Sequence, residues 1–164
     1  MRKYWVRKEE CNTKEEIIEE IFSNPKGLIR VIDTDTVQFR DKFAYTSDRY
    51  KFGRTYEVVN RAYIEDDIYD DEVFVEEYSF SELENKKGYY ISGCSHSQGY
   101  TTDFFTRIDN MIYVCSYVDF KYGMLDISVA YNIDKDCFEM DVKEYPIIPD
   151  DVETFIDEYA KANY

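Results

Sequence analysis

IYVCSYVDFKYGMLDISVAYNIDKDCFEMDV, residues 112–142, carries the periodicity on which the fold turns. Ile112, Val114, Val118 and Phe120 share one parity. Leu125, Ile127, Val129, Tyr131 and Ile133 share the next, and Phe138, Met140 and Val142 a third. Side chains alternate between the faces of a strand, so each set predicts one apolar strand face, and the stretch as a whole predicts a three-stranded antiparallel meander. Asp109-Asn110, Tyr122-Gly123 and Asp134-Lys135 supply turn-competent residues at the connections. The same parity turns Tyr113, Tyr117, Asp119, Asp126, Glu139 and Asp141 away from the core, with Lys143 as the one cation among them.

Upstream, strands are expected at Leu28 to Ile32 paired with Val37 to Arg40, then at Tyr56 to Ile64, Val73 to Phe80 and Gly88 to Ser92, with irregular loops at Asp41 to Thr55 and Gly93 to Asp103. A helix is expected at each end. Thr13 and Glu16 have the spacing of a capping box, followed by the apolar stripe Ile17, Ile18, Ile21 and Phe22 and a stop at Asn24-Pro25 and Gly27. Near the C-terminus Asp150 is placed to cap, with Glu153 three residues on, before Val152, Phe155, Ile156 and Tyr159 at helical spacing. The expectation is one α+β domain over residues 1–164: a largely antiparallel, twisted sheet of about seven strands with both helices on one face.

Length and composition bound the function. A chain of 164 residues buries roughly 68–70% of its unfolded surface, enough for a core without metal or disulfide staples. With 17 Tyr, 11 Phe and many Ile and Val, it lacks the composition of a disordered acidic chain. Thirty-five Asp and Glu against 20 Lys and Arg give a net charge of −15, which disfavours direct contact with duplex DNA. Met1, Arg2 and Lys3 precede Tyr4-Trp5-Val6, but Arg7, Lys8, Glu9 and Glu10 follow, so the apolar stretch of a signal peptide is missing. Nothing reaches the ~18 apolar residues of a membrane span. Cys11, Cys94, Cys115 and Cys137 form no Cys-x-x-Cys pair, which fits reduced thiols and a cytoplasmic location, the host cytoplasm if the chain is phage-encoded.

The charge is polarised along the chain. Residues 1–61 hold 13 basic and 11 acidic residues, whereas residues 62–164 hold 7 and 24. The densest block is Glu65, Asp66, Asp67, Asp70, Asp71, Glu72, Glu76 and Glu77, with Tyr69 among them. Acids on a solvated face keep a protein soluble. Like charges on adjacent strands nonetheless cost about as much as the ~0.2–1 kcal/mol that favourable pairs contribute. Rows of outward carboxylates approximate a polyanion, and Tyr is enriched in interface cores. These acids, with Tyr69, Tyr113 and Tyr117, are the expected binding face for a basic partner.

Other chemistry is less well supported by the residues. Ser92-Gly93-Cys94-Ser95-His96-Ser97-Gln98-Gly99-Tyr100 holds the single histidine and a thiol, so a small hydrolase or transferase using His96 and Cys94, with Asp103 to orient the imidazole, is the enzymatic alternative. A hairpin loop of small polar residues explains the same segment. Cys94 and His96 make only half a metal site, and Asp33-Thr34-Asp35 and Asp134-Lys135-Asp136 do not continue into a calcium loop. The six glycines form no phosphate-cradling spacing, so no cofactor or metal is expected. Arg40, Lys42, Arg49, Lys51, Arg54 and Arg61 interleave with Phe39, Phe43, Tyr45, Tyr50, Phe52 and Tyr56, a pattern that can stack on single-stranded nucleic acid or neutralise the acidic half of the molecule.

In size, charge and aromatic content over its whole length the chain resembles the anti-restriction and anti-CRISPR proteins of phages and mobile elements, with no motif shared. That resemblance implies a Cas nuclease or restriction enzyme as partner, inhibited by occupation of its nucleic-acid channel. A bacterial immunity-type protein that neutralises a basic toxin is physically equivalent. A monomer or homodimer is expected, with no membrane contact.

Overall fold

The computed structural model describes residues 2–7, 27–32, 36–39, 42–45, 72–97 and 99–164. The chain is α+β and divides into two compact units, one ending at Glu82 and the other running over Leu83–Tyr164. Each unit has its own antiparallel sheet of five strands, where the sequence predicts one sheet of about seven. The N-terminal helix expected from Thr13 and the strand expected at Tyr56 to Ile64 lie outside the described residues.

In the first unit β1 (Arg2–Arg7), β2 (Leu28–Ile32), β3 (Thr36–Phe39), β4 (Lys42–Tyr45) and β5 (Glu72–Ser79) are ordered β1-β5-β2-β3-β4. The expected pairing of β2 with β3 is present, with Val31 opposite Val37 and Ile29 opposite Phe39. Those four side chains are fully buried on one face, with Tyr78. On the other face Arg30 lies opposite both Gln38 and Glu77, and all three are buried. Arg30 donates from Nε to Glu77 Oε1 at 2.5 Å and pairs with it again through Nη2. A charge taken out of water needs such a partner.

The second unit holds β6 (Gly88–His96), β7 (Gly99–Ile108), β8 (Met111–Asp119), β9 (Met124–Asn132) and β10 (Cys137–Phe138) in the order β10-β9-β8-β7-β6. The helix α1 (Asp150–Asn163) packs on one face. Its Ile156 and Ala160 are fully buried against Phe104, Tyr113, Cys115, Tyr117, Ile127 and Ala130, with Phe155, Tyr159 and Tyr164 at the margin. The cap differs from expectation: Pro149 occupies the N-cap position without a side-chain bond, Asp150 is the first helical residue, and Thr154 Oγ1 donates to its carbonyl at 2.8 Å.

Two features overturn the parity read from residues 112–142. Phe105, Ile112, Val114, Val129 and Tyr131, on the face away from α1, are buried as deeply as the helix-facing set, so this sheet has no solvent face over its centre. The register also shifts between Val114 and Cys115, where Ser128 forms a bulge in β9. An extra residue reverses the alternation. Leu125 and Ile127 therefore face the helix while Val129 and Tyr131 face the opposite way. The third expected strand is short, because Asp141 Oδ1 accepts from the backbone N–H of Lys143 and of Tyr145 and turns the chain, leaving Val142 fully exposed at the tip.

Candidate functional site

Several residues expected on a binding face are buried. Tyr113 and Tyr117 lie in the core beneath α1, at 2% and 5% exposure, and burial pushes the Tyr113 hydroxyl above its ordinary pKa. Glu77 is tied to Arg30, and Glu76 is buried opposite Val31. The signal for the tyrosines lay in 111–118, MIYVCSYV, a nearly unbroken apolar run of the kind that marks a strand covered on both faces. Glu65, Asp66, Asp67, Tyr69, Asp70 and Asp71 lie outside the described residues, as does the side chain of Glu72.

Of the remaining expected acids, Asp119 and Asp126 are exposed on β8 and β9. Glu139 accepts from Lys135 Nζ at 2.8 Å and from Asn132 Nδ2 at 3.1 Å, which together lower its pKa. Asp141 organises the turn already described. In the Asp134-Lys135-Asp136 turn, Tyr131 donates to Asp136 and Asn110 to Asp134, so these carboxylates serve hydrogen bonds of the fold.

The expected loop at Gly93 to Asp103 is instead a regular hairpin. Cys94 pairs with Thr101, His96 with Gly99, and Asp103 with Ser92, whose Oγ donates to its carboxylate at 3.2 Å. His96 is thus four residues along the ladder from the partner of Asp103, roughly 13 Å at strand spacing. Groups of three or more metal-ligating side chains are absent among the described residues. Of the basic and aromatic segment, Phe39 is buried and Lys42–Tyr45 forms β4; Arg40 and the residues beyond Tyr45 lie outside the described ones.

Carboxylates gather on α1, where the sequence predicts a cap and a core stripe. Asp150, Glu153 and Asp157 recur at i, i+3 and i+7, about 4.5 and 6 Å apart along the axis. With Thr154 and with Leu125 of β9 they line a groove of about 370 Å³. Asp150, Asp151 and Glu153 stand in the first turn, where the helix dipole favours negative charge. Among the described residues of the second unit, local partners engage most of the lysines. Lys161 pairs with Asp157, Lys135 with Glu139 and Lys87 with Glu84, while Lys86 and Lys121 lie over the rings of Phe155 and Tyr122. Asp119, Glu144, Asp150, Asp151, Glu153 and Glu158 have no ion pair among the described residues. Tyr90, Tyr100, Tyr122 and Tyr145 are exposed.

This arrangement can accept cationic side chains. No described helix is long and apolar enough to cross a membrane. Comparison with protein-family models, with curated proteins and with solved structures finds no match to this chain.

Proposed function

We propose that this protein is a non-enzymatic, acidic inhibitor that binds a basic nucleic-acid-handling protein, of the nuclease or DNA-binding kind, and occupies the surface on which that partner holds its nucleic acid. The observation that supports this reading is the row of carboxylates on α1 beside an open groove. Leu83 to Tyr164 carry 15 acidic residues against seven Lys and Arg, and the Lys ion pairs among the described residues there are all local. Uncompensated like charge on one helix costs stability for a monomer and becomes favourable when a cationic surface arrives. The binding face consists of Asp150, Asp151, Glu153, Asp157 and Glu158 with Asp119, Glu144 and the exposed tyrosines, in place of the buried Tyr113, Tyr117, Glu76 and Glu77.

The test is capture from bacterial lysate on immobilised protein, wild type beside a variant carrying Asp150→Asn, Asp151→Asn, Glu153→Gln and Glu158→Gln. The proposal expects the wild type to retain nucleic-acid-binding proteins that duplex DNA elutes, and the folded variant to lose them. Equal retention by both, or retention that DNA never displaces, overturns it.

A further inference from the structure

Residues 139–153, EMDVKEYPIIPDDVE, hold six acids against one cation, Lys143, and two of the three prolines of the chain. They fold as a short arm that runs into α1. The Glu139 N–H donates to the carbonyl of Ala130 on β9, Met140 bridges to Pro146, and the Ile147 N–H donates to the carbonyl of Glu139 at 2.9 Å. Between the two limbs the chain reverses tightly. The Asp141 N–H donates to the carbonyl of Tyr145 at 2.8 Å, the Asp141 side chain accepts from the N–H groups of Lys143 and Tyr145, and Glu144 takes a left-handed backbone at φ +66°. Pro149, two residues beyond Ile147, supplies the carbonyl on which the first turn of α1 closes.

This hydrogen-bonded turn holds apolar side chains outward. Val142 is fully exposed, Tyr145 is 66% exposed and Ile147 52%, so three of the seven large hydrophobic residues exposed among the described ones fall within six positions. Single apolar residues are ordinary on a surface, whereas three on one ordered turn make a preformed apolar tip. Side chains already held in place lose little further freedom when a partner covers them. Asp141 and Glu144 border the tip, and Asp150, Asp151 and Glu153 follow it in the first turn of α1.

We infer that Val142, Tyr145 and Ile147 are the anchor of the interface formed by the carboxylates of α1, and that they enter an apolar pocket of the basic partner whose rim carries Lys or Arg. The inference rests on the proposed function for the class of that partner. Charge complementarity selects the occupant. The acids beside and behind the tip repel a second copy of a chain at −15, and an anionic lipid surface equally, and they favour a pocket rimmed by cations. Interface cores are poor in charge and rich in apolar and aromatic residues, and a few such anchors hold most of the binding energy. The carboxylates therefore set how fast the partners meet, and the tip sets how long they stay together.

The test takes the proteins that duplex DNA elutes from the immobilised wild type after exposure to bacterial lysate, and re-applies them as one pool. The surfaces carry the wild type, the tip variant Val142→Ser with Tyr145→Ser, or the α1 variant Asp150→Asn with Glu153→Gln. The tip variant is expected to release the pool at least about tenfold faster, with far-UV circular dichroism and the salt dependence of association unchanged. The α1 variant is expected to slow association and to flatten its salt dependence. A tip variant that releases the pool at the wild-type rate overturns this inference alone. An α1 variant that associates like the wild type, or a wild type that retains nothing DNA elutes, overturns the proposed function and this inference with it. Self-association, or binding to vesicles of phosphatidylcholine and phosphatidylglycerol, that the wild type shows and the tip variant loses would make a second copy or a membrane the occupant, and overturns the inference as well.

Discussion

At the scale of single residues, two glycines show how closely the second unit is built. A Cβ on Gly99, at φ +146°, would lie 2.0 Å from the backbone oxygen of Asp119, which cannot swing aside. A Cβ on Gly88 would meet the Tyr159 ring at 2.7 Å, where the Gly88 N–H donates to the Tyr159 hydroxyl at 3.0 Å. Gly88→Ala is therefore expected to cost about 1–3 kcal/mol, the usual range for overpacking, and Gly99→Ala more, because its clash is with backbone. Urea midpoints of the two variants give the order; a smaller loss for Gly99→Ala contradicts the geometry. The hydroxyl of Tyr164, half-buried against Tyr159, is pushed up to about 12, chiefly by burial. Above pH 10 the unfolded chain gives up that proton while the folded chain keeps it. Stability is thus full below about pH 10 and falls as the pH rises towards 12. Tyr164→Phe should flatten that fall when urea midpoints at about pH 9 and about pH 11 are compared, and an unchanged slope would show that the hydroxyl does not report on folding.

At the scale of elements, α1 is held to its sheet by Ile156 and Ala160. Ile156→Ala leaves a hole under the helix and is expected to cost about 2–5 kcal/mol, with loss of near-ultraviolet dichroism from the tyrosines around it. A loss below 1 kcal/mol would mean that the helix is not docked as described. Asp141→Ala deprives two backbone N–H groups of their acceptor, so amide exchange at Lys143 and Tyr145 should quicken while the sheet stays protected. The elements themselves were largely legible in the sequence: β2, β3, β5, β6, β8 and β9 fall close to where alternation and turn residues place them, and so does α1. Which way their side chains point was not. A period of two marks a face only when the other face is polar, and Ile112, Tyr113, Val114 and Cys115 are buried in succession. Ser128 then exchanges the faces within β9, and nothing in its type announces a bulge. The candidate site suffered from the same reading. Parity alone turns Tyr113 and Tyr117 outward, whereas Asp150 and Glu153 read as capping residues and line the groove only because the fold brings Leu125 beside them.

At the scale of the molecule, one sheet carries two surfaces of opposite electrostatic character. The acids of α1 have few free cations among the described residues of the second unit, while the β6–β7 hairpin has no charge over fifteen residues. Salt should weaken whatever binds the carboxylates. The polarity along the sequence, 13 basic and 11 acidic residues up to Arg61 and 7 against 24 thereafter, thus resolves within the second unit into one charged face and one neutral edge. The central claim, that the carboxylates of α1 occupy a nucleic-acid-binding surface, is tested most directly by the affinity for a captured partner, measured between about 50 mM and about 200 mM salt with and without duplex DNA. The expected result is a steep loss of affinity with salt, at least about tenfold over that interval, and competition between DNA and this protein for the same partner. An affinity indifferent to salt, together with simultaneous binding of DNA, would contradict it.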